Sequence, residues 1–346
     1  MTSPAELLTK INADLPNLDW KQGARDYVAA FCARFTSVQI EDFIFTKPLA
    51  ALTPEDPEGS LTEVSSYLFN FASTIRLLGL KRGARVLDVA CGGGWFSHWL
   101  RRLGYDARGI DISEDFIKLA RKRLLLDPHM QITEGEAENI LRVHDLEVES
   151  LPTDFHGCFD AVILESCLHH FFDPIAALSH IRESLAPGGV VLILEGENRK
   201  GPIREEYVQV MLDTATLERP YPREQLIEIL EVAGMPHVEF LGSTPGFFAA
   251  SAPLSAHMTQ LLADSTEGSN VCICAVDPDS LRRVVPSYQA TGSKPLGLAE
   301  TPASAQSRAT EPSSKQIDHM AAPQATSPAG RTRTGLVVGL RRLLGR

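Results

Sequence analysis

Asp88, the glycines at 92, 93 and 94, and Asp111 are the residues whose types and spacing best suit binding chemistry. Val86 to Val89 read as a short buried strand, Cys91 to Gly94 as a tight turn and Trp95 to Leu103 as the start of a helix. Glycines in such a turn permit positive φ and leave no Cβ between main chain and ligand, while free N–H groups at the helix start act as donors. Gly92-x-Gly94-x-x-Ser97 comes near the dinucleotide pattern G-x-G-x-x-G/A, a weak signal by itself. Asp88 sharpens it, because a carboxylate just before the turn repels a pyrophosphate and suits a ligand carrying an ammonium or sulfonium.

Asp111 ends the next expected strand, and an acid about 20 residues past the glycines is placed to accept from two ribose hydroxyls. Two acids flank a turn that holds no basic residue, which points to S-adenosylmethionine. A second group of interest is His169-His170, just beyond the apolar run Phe159-Asp-Ala-Val-Ile-Leu164, where open α/β sheets place their chemistry. Methyl transfer from a sulfonium is an in-line displacement that needs alignment and exclusion of water. A hydroxyl acceptor gains from a general base, for which either histidine is suited near neutral pH. No metal ligands are assigned. A metal-assisted variant would gather His169, His170, Asp173, Glu195 and Glu197 around magnesium or manganese.

Taken in order, Asp88-x-Ala90-x-Gly92-x-Gly94, Gly109-Ile-Asp111-Ile-Ser113, Gly135-Glu-Ala-Glu138, Phe159-Asp160, Leu168-His-His170 and Leu185-Ala-Pro-Gly-Gly189 resemble the class I S-adenosylmethionine-dependent methyltransferases over roughly residues 60 to 280. The resemblance implies a Rossmann-like, doubly wound α/β fold: a seven-stranded sheet, mostly parallel, with an antiparallel last strand. It implies cofactor contacts at Asp88, Ala90, Gly92, Gly94 and Trp95 on the first strand and turn, and at Asp111 and Ile112 on the second. It further implies contacts at Glu136, Ala137 and Glu165, with Glu136 accepting from the adenine amino group. An N-terminal helix with Tyr67 and Asn70 would lean over the cofactor, and a segment of about 196 to 222 would form a lid.

The expected activity is methylation, most readily of an oxygen on a small molecule or a saccharide. Methylation of nitrogen or carbon remains an alternative, as do an NAD(P)-binding oxidoreductase and a module that binds no cofactor. Calorimetry with S-adenosylhomocysteine and with NAD separates these classes.

The formal charge is −11, yet residues 331 to 346 hold five arginines and no acid. Residues 1 to 330 therefore carry 28 basic against 44 acidic groups, or −16, which makes nucleic acid a poor substrate. Six scattered cysteines lack zinc spacing and read as reduced, packed thiols. With no run of about 18 apolar residues and no basic-then-apolar start, a cytoplasmic location is expected.

Along the chain, residues 1–59 read as an N-terminal helical arm, with helices from Pro4 to about Asn12 and from Asp19 to about Phe35. Residues 60–284 form the expected catalytic domain. Ser60-Leu-Thr-Glu63 opens its first helix, and Leu61, Val64, Leu68, Phe71, Ile75 and Leu78 supply the buried face. His129 to Thr133 is expected as the third strand, and residues 139 to 157 as an acidic surface loop. A lid helix from about Ile203 to Leu217 follows, and strands at His237 to Leu241 and Asn270 to Val276 close the sheet. Gly246-Phe-Phe248, on the excursion between those strands, is a candidate for the substrate pocket. Residues 285–330, rich in Pro, Ala, Ser and Thr, read as a disordered linker. Residues 331–346 are a basic amphipathic tail, too short to span a bilayer but suited to peripheral contact with an anionic membrane surface.

Overall fold

A computed structural model of the chain describes residues 3–32, 48, 57–242 and 268–289. The linker, the basic tail, most of the arm after Cys32 and the Gly246-Phe-Phe248 segment lie outside the described residues.

The sheet has seven strands: β1 (Arg85–Val89), β2 (Asp106–Asp111), β3 (Leu141–Val143), β4 (Phe159–Glu165), β5 (Leu185–Glu197), β6 (His237–Phe240) and β7 (Ser269–Ala275). Their order is β3-β2-β1-β4-β5-β7-β6, so the chain starts in the middle, runs to one edge and returns to build the other. Pairings among β1 to β5 are parallel, whereas β7 is antiparallel to both β5 and β6. The expected Rossmann-like sheet with an antiparallel last strand is the one observed.

Strand periodicity of two divides the interior into two layers. Leu87, Val89, Val162, Leu164, Val191 and Ile193 face one way, while Val86, Ala161, Ile163, Val190, Leu192 and Leu194 face the other. Nearly all are fully buried, which explains why β1, β4 and β5 read as continuous apolar runs. Helices cover both faces. On the first lie α1 (Pro4–Asn12), α7 (Pro174–Ser184) and α9 (Arg223–Val232); on the second lie α3 (Pro57–Leu78), α4 (Trp95–Arg102) and α10 (Pro278–Val284). The remaining described helices are α2 (Trp20–Cys32), α5 (Glu114–Leu126), α6 (Glu134–Ile140) and α8 (Glu205–Thr214), the last within the expected lid.

Local signals start these helices where expected. Ser3 and Glu6 form a capping box for α1, Ser113 caps α5, and Asp173 accepts from Ala176 N at 2.9 Å to open α7 with Pro174 at its first position.

The third strand is a correction. His129 to Thr133 form no strand; β3 is Leu141–Val143, paired to Gly109, Ile110 and Asp111 of β2. Thr133-Glu-Gly-Glu136 is a capping box that starts a helix, with Glu136 N donating to Thr133 Oγ1 at 3.3 Å. Gly135-Glu-Ala-Glu138 therefore precedes the third strand, and the residues leaving its C-terminal end are His144, Asp145 and Leu146.

Candidate active site

The glycine turn leaves the C-terminal end of β1 with Ala90 at φ 52°, Gly92 at φ 50° and Gly94 at φ 69°. Three left-handed residues within five bend the chain sharply enough to start α4 at Trp95. A Cβ added to Gly94 would lie 2.7 Å from the Ala120 Cβ, so that glycine is required by packing. A Cβ added to Gly92 would meet nothing within 4 Å, so the backbone there faces open space.

The two acids do different work. Asp88, 2 % exposed, accepts from Ser97 N at 3.0 Å and from Ser97 Oγ at 2.6 Å, fastening the first turn of α4 to β1. Asp111, 8 % exposed, accepts from Gly92 N at 2.9 Å with one oxygen and from Ser113 N at 2.8 Å with the other. Each oxygen keeps a lone pair for a further donor. Burial raises the Asp111 carboxyl to about 6, against the pull of its two backbone donors. Arg123 of α5, which sequence reasoning passed over, donates from Nε to Gly93 O at 3.1 Å and fixes the outer side of the turn.

The histidine pair forms a 3₁₀ turn, Leu168–His170, beyond β4. β1 and β4 pair in parallel with Val89 opposite Leu164, so the glycine turn and the histidine turn leave neighbouring strands at the same end of the sheet. Cys167 Sγ donates to Val89 O at 3.4 Å across that junction. Glu195, at the same end of β5, accepts from Leu168 N at 2.7 Å with one oxygen and meets His169 Nδ1 at 2.7 Å with the other. His169 Nε2 lies 3.4 Å from Glu218, and His170 Nδ1 bonds the carbonyl oxygen of Leu217. The two imidazole rings are 4.0 Å apart.

These contacts separate the histidines chemically. Burial alone would lower the His169 pKa, but the Glu195 and Glu218 carboxylates outweigh it and raise it to about 10. Burial, joined by the charge on His169, lowers His170 below its ordinary value. Near neutral pH the pair is thus one imidazolium and one neutral imidazole. Because a carbonyl oxygen can only accept, His170 carries its proton on Nδ1 and keeps the lone pair on Nε2.

His169, His170 and Glu218 offer one ligand atom each within 4.8 Å, a group that shares only the two histidines with the metal-assisted variant and brings in Glu218, which that variant did not include. The other members of that variant are engaged otherwise: Glu195 bonds Leu168 N and His169, Asp173 caps α7, and Glu197 pairs with Arg204 at 2.6 Å. A proton on His169 balances the buried carboxylates on either side of it.

The other expected cofactor residues have the following protein neighbours. Trp95, 4 % exposed, packs its ring against Tyr67, Phe71, Phe96 and Trp99, joining α3 to α4. Glu136 is exposed, and its Oε2 accepts from Thr133 N at 2.7 Å and Thr133 Oγ1 at 2.8 Å. Ala137 is 1 % exposed within the helix that precedes β3. Ile112 and Glu165 stand half-buried just after β2 and at the end of β4, on the cradle's side of the sheet. Beside β3 the acid that emerges is Asp145, which holds Lys21 at 2.8 Å and Arg25 at 3.1 Å and so ties α2 across the strand ends. Ser113 Oγ donates to Arg25 O at 3.1 Å, a second tie of the same helix.

A family model described as a methyltransferase domain matches residues 65–238, half of the chain. The chain belongs to this methyltransferase family. Among curated relatives, the ubiquinone biosynthesis O-methyltransferase of Psychrobacter cryohalolentis is 34 % identical over 139 residues, covering 39 % of this chain and 51 % of the relative. The enzyme of the same name from Xanthomonas campestris pv. campestris is 37 % identical over 111 residues, covering 32 % and 42 %. That from Bordetella avium is 29 % identical over 185 residues, covering 54 % and 65 %. The chain thus spans between two fifths and two thirds of the length of these relatives. Among solved structures, Haemonchus contortus phosphoethanolamine N-methyltransferase 2 in complex with S-adenosyl-L-methionine is 19 % identical, covering 65 % of this chain and 58 % of that one, with a TM-score of 0.42.

The cofactor of this methyltransferase domain is S-adenosylmethionine, which corrects the oxidoreductase alternative. Open space over Gly92 admits a ligand against bare backbone, and the Asp111 carboxylate beside it has acceptor capacity left for hydroxyl groups. The open backbone and the acceptor chemistry of the turn therefore fit the cofactor, with Gly92 and Asp111 as the residues that would hold it.

Proposed function

We propose that the chain methylates a hydroxyl oxygen on a small molecule or saccharide acceptor, with His170 as general base. The observation that carries this reading is a neutral, oriented imidazole on the turn next to the glycine cradle. S-adenosylmethionine, when bound, supplies an electrophilic methyl group on its sulfonium. His170 receives the acceptor's proton on Nε2, while the Leu217 carbonyl holds its Nδ1–H and fixes the ring. His169 is the wrong partner for that proton, since its own is retained between two carboxylates. Instead it lends positive charge next to the oxygen that becomes nucleophilic. The names of the curated relatives support oxygen as the accepting atom.

The test incubates the full chain and labelled S-adenosylmethionine with phenols, catechols, saccharides and primary amines, and identifies the methylated atom by mass spectrometry. O-methyl products are expected. With the best acceptor, His170→Ala is expected to reduce turnover by about 10²- to 10⁴-fold with unchanged affinity for S-adenosylhomocysteine. Methylation confined to amines, or undiminished turnover in His170→Ala, defeats the reading.

A further inference from the structure

We propose that Arg219 is a positioning residue for the acceptor side of the site, clamping α1 onto the turn that carries His169 and His170. Arg219 is fully buried. Its Nη1 donates to Ile11 O at 3.2 Å and to Asn12 Oδ1, both at the C-terminal end of α1. Its Nη2 donates to Phe171 O at 2.7 Å and to the Tyr221 hydroxyl at 2.7 Å. Tyr221 passes its own proton on to Leu168 O at 3.3 Å, and Asn12 Nδ2 donates to Phe172 O at 3.2 Å. The carbonyls of Leu168 and Phe171, on either side of the histidines, are thus held by one guanidinium and the phenol it touches.

Chain order adds to this. Arg219 follows Leu217, whose carbonyl orients His170, and Glu218, which faces His169. Four of the five residues from Leu217 to Tyr221 therefore contact the two rings and the two flanking carbonyls. The planar fork meets acceptors on two separate segments at once, which a lysine ammonium on a flexible stem does not reproduce. α1 lies outside residues 65–238 that match the family, so a segment added to the shared domain completes the support of its catalytic turn. The inference rests on His170 as the base, but its test reads the rings directly and needs no acceptor.

The test compares the full wild-type chain with Arg219→Lys and Asn12→Ala, each saturated with S-adenosylhomocysteine. Histidine ring titrations are followed by NMR, and S-adenosylhomocysteine affinity by calorimetry. In both variants the titrations of His169 and His170 are expected to move by roughly half a pH unit or more, as the spacing to Glu195 and Glu218 relaxes. Affinity should stay within about twofold, because Gly92, on the turn after β1, and Asp111, at the end of β2, make none of the clamp's hydrogen bonds. Should Arg219→Lys not fold, Asn12→Ala, which removes only the α1 end of the clamp, decides alone. Unchanged ring titrations overturn the proposal. So does an affinity loss in proportion to the ring shifts, which would mark a general loosening. Full turnover in His170→Ala would remove the base assignment and leave the ring-position result standing.

Discussion

His169 and His170 are adjacent in the chain yet hold different charge states, because the carboxylates beside His169 outweigh its burial while burial and the charge on His169 keep His170 neutral. The stability consequence follows from His169, whose pKa rises from 6.5 to about 10 on folding. Its contribution is fully present below pH 6.5 and lost as pH climbs from there through about 10. We expect the Tm of the wild-type chain to fall across that window. His169→Ala should be destabilised by about 3–5 kcal/mol at pH 7, because the buried carboxylates lose their counter-charge, and should lose the alkaline slope. Thermal melts of both proteins from pH 6 to 10 check this. Asp111 behaves differently, since burial raises it from 3.8 to about 6. For the fold alone its neutral form is favoured, a contribution complete below 3.8 and lost through 6. The ionised form accepts from ribose hydroxyls better, so S-adenosylhomocysteine affinity should weaken by up to about tenfold per unit as pH drops below 6. Calorimetry at pH 5 to 8 reads that slope, and a flat profile would separate Asp111 from the ligand.

At the scale of elements, the turn between β1 and α4 assigns separate tasks to two glycines that look equivalent in sequence. Gly94→Ala combines φ 69° with a Cβ at 2.7 Å from Ala120, so it should cost about 1–3 kcal/mol of stability. Gly92→Ala has φ 50° but open space, so its stability loss should be near 1 kcal/mol while its methyl group intrudes where the donor lies. Melts and S-adenosylhomocysteine titrations of the pair are expected to rank in opposite orders; matching ranks would refute the division. The same scale accounts for the misplaced third strand. Thr133-x-x-Glu136 is a helix start, and β3 is three residues long, too short for alternation to stand out. Once β3 is placed, Asp145 becomes the acid at its exit, and α2 is seen to cross there through Lys21 and Arg25.

Across the whole molecule, every strand of the sheet and both turns of the site lie before residue 289. No helix among the described residues is long and apolar enough to cross a membrane. A chain ending at residue 289 is expected to melt at the wild-type temperature and to bind S-adenosylhomocysteine equally well. A lower Tm on truncation would mean that later residues pack on the domain. The N-terminal segment is a different matter, because α1 and α2 both reach the ends of the strands, one through Arg219 and the other through Asp145.

Legibility followed the range of the interactions. The glycine turn, the acid after the second strand, the buried apolar strands and the histidine pair are local patterns, fixed by backbone sterics, periodicity and capping within a dozen residues, and the sequence by itself determined them. Glu218 and Arg219 carry no local signature: they look like surface charges in a polar turn until a sheet crossover brings residues 217–221 against the histidines. The charge state of each histidine, the use of Asp88 to fasten α4, and the capping role of Glu136 likewise depend on which groups burial brings within hydrogen-bonding distance. Only the tertiary structure decided those, because desolvation and charge pairing act across space between residues far apart in the chain.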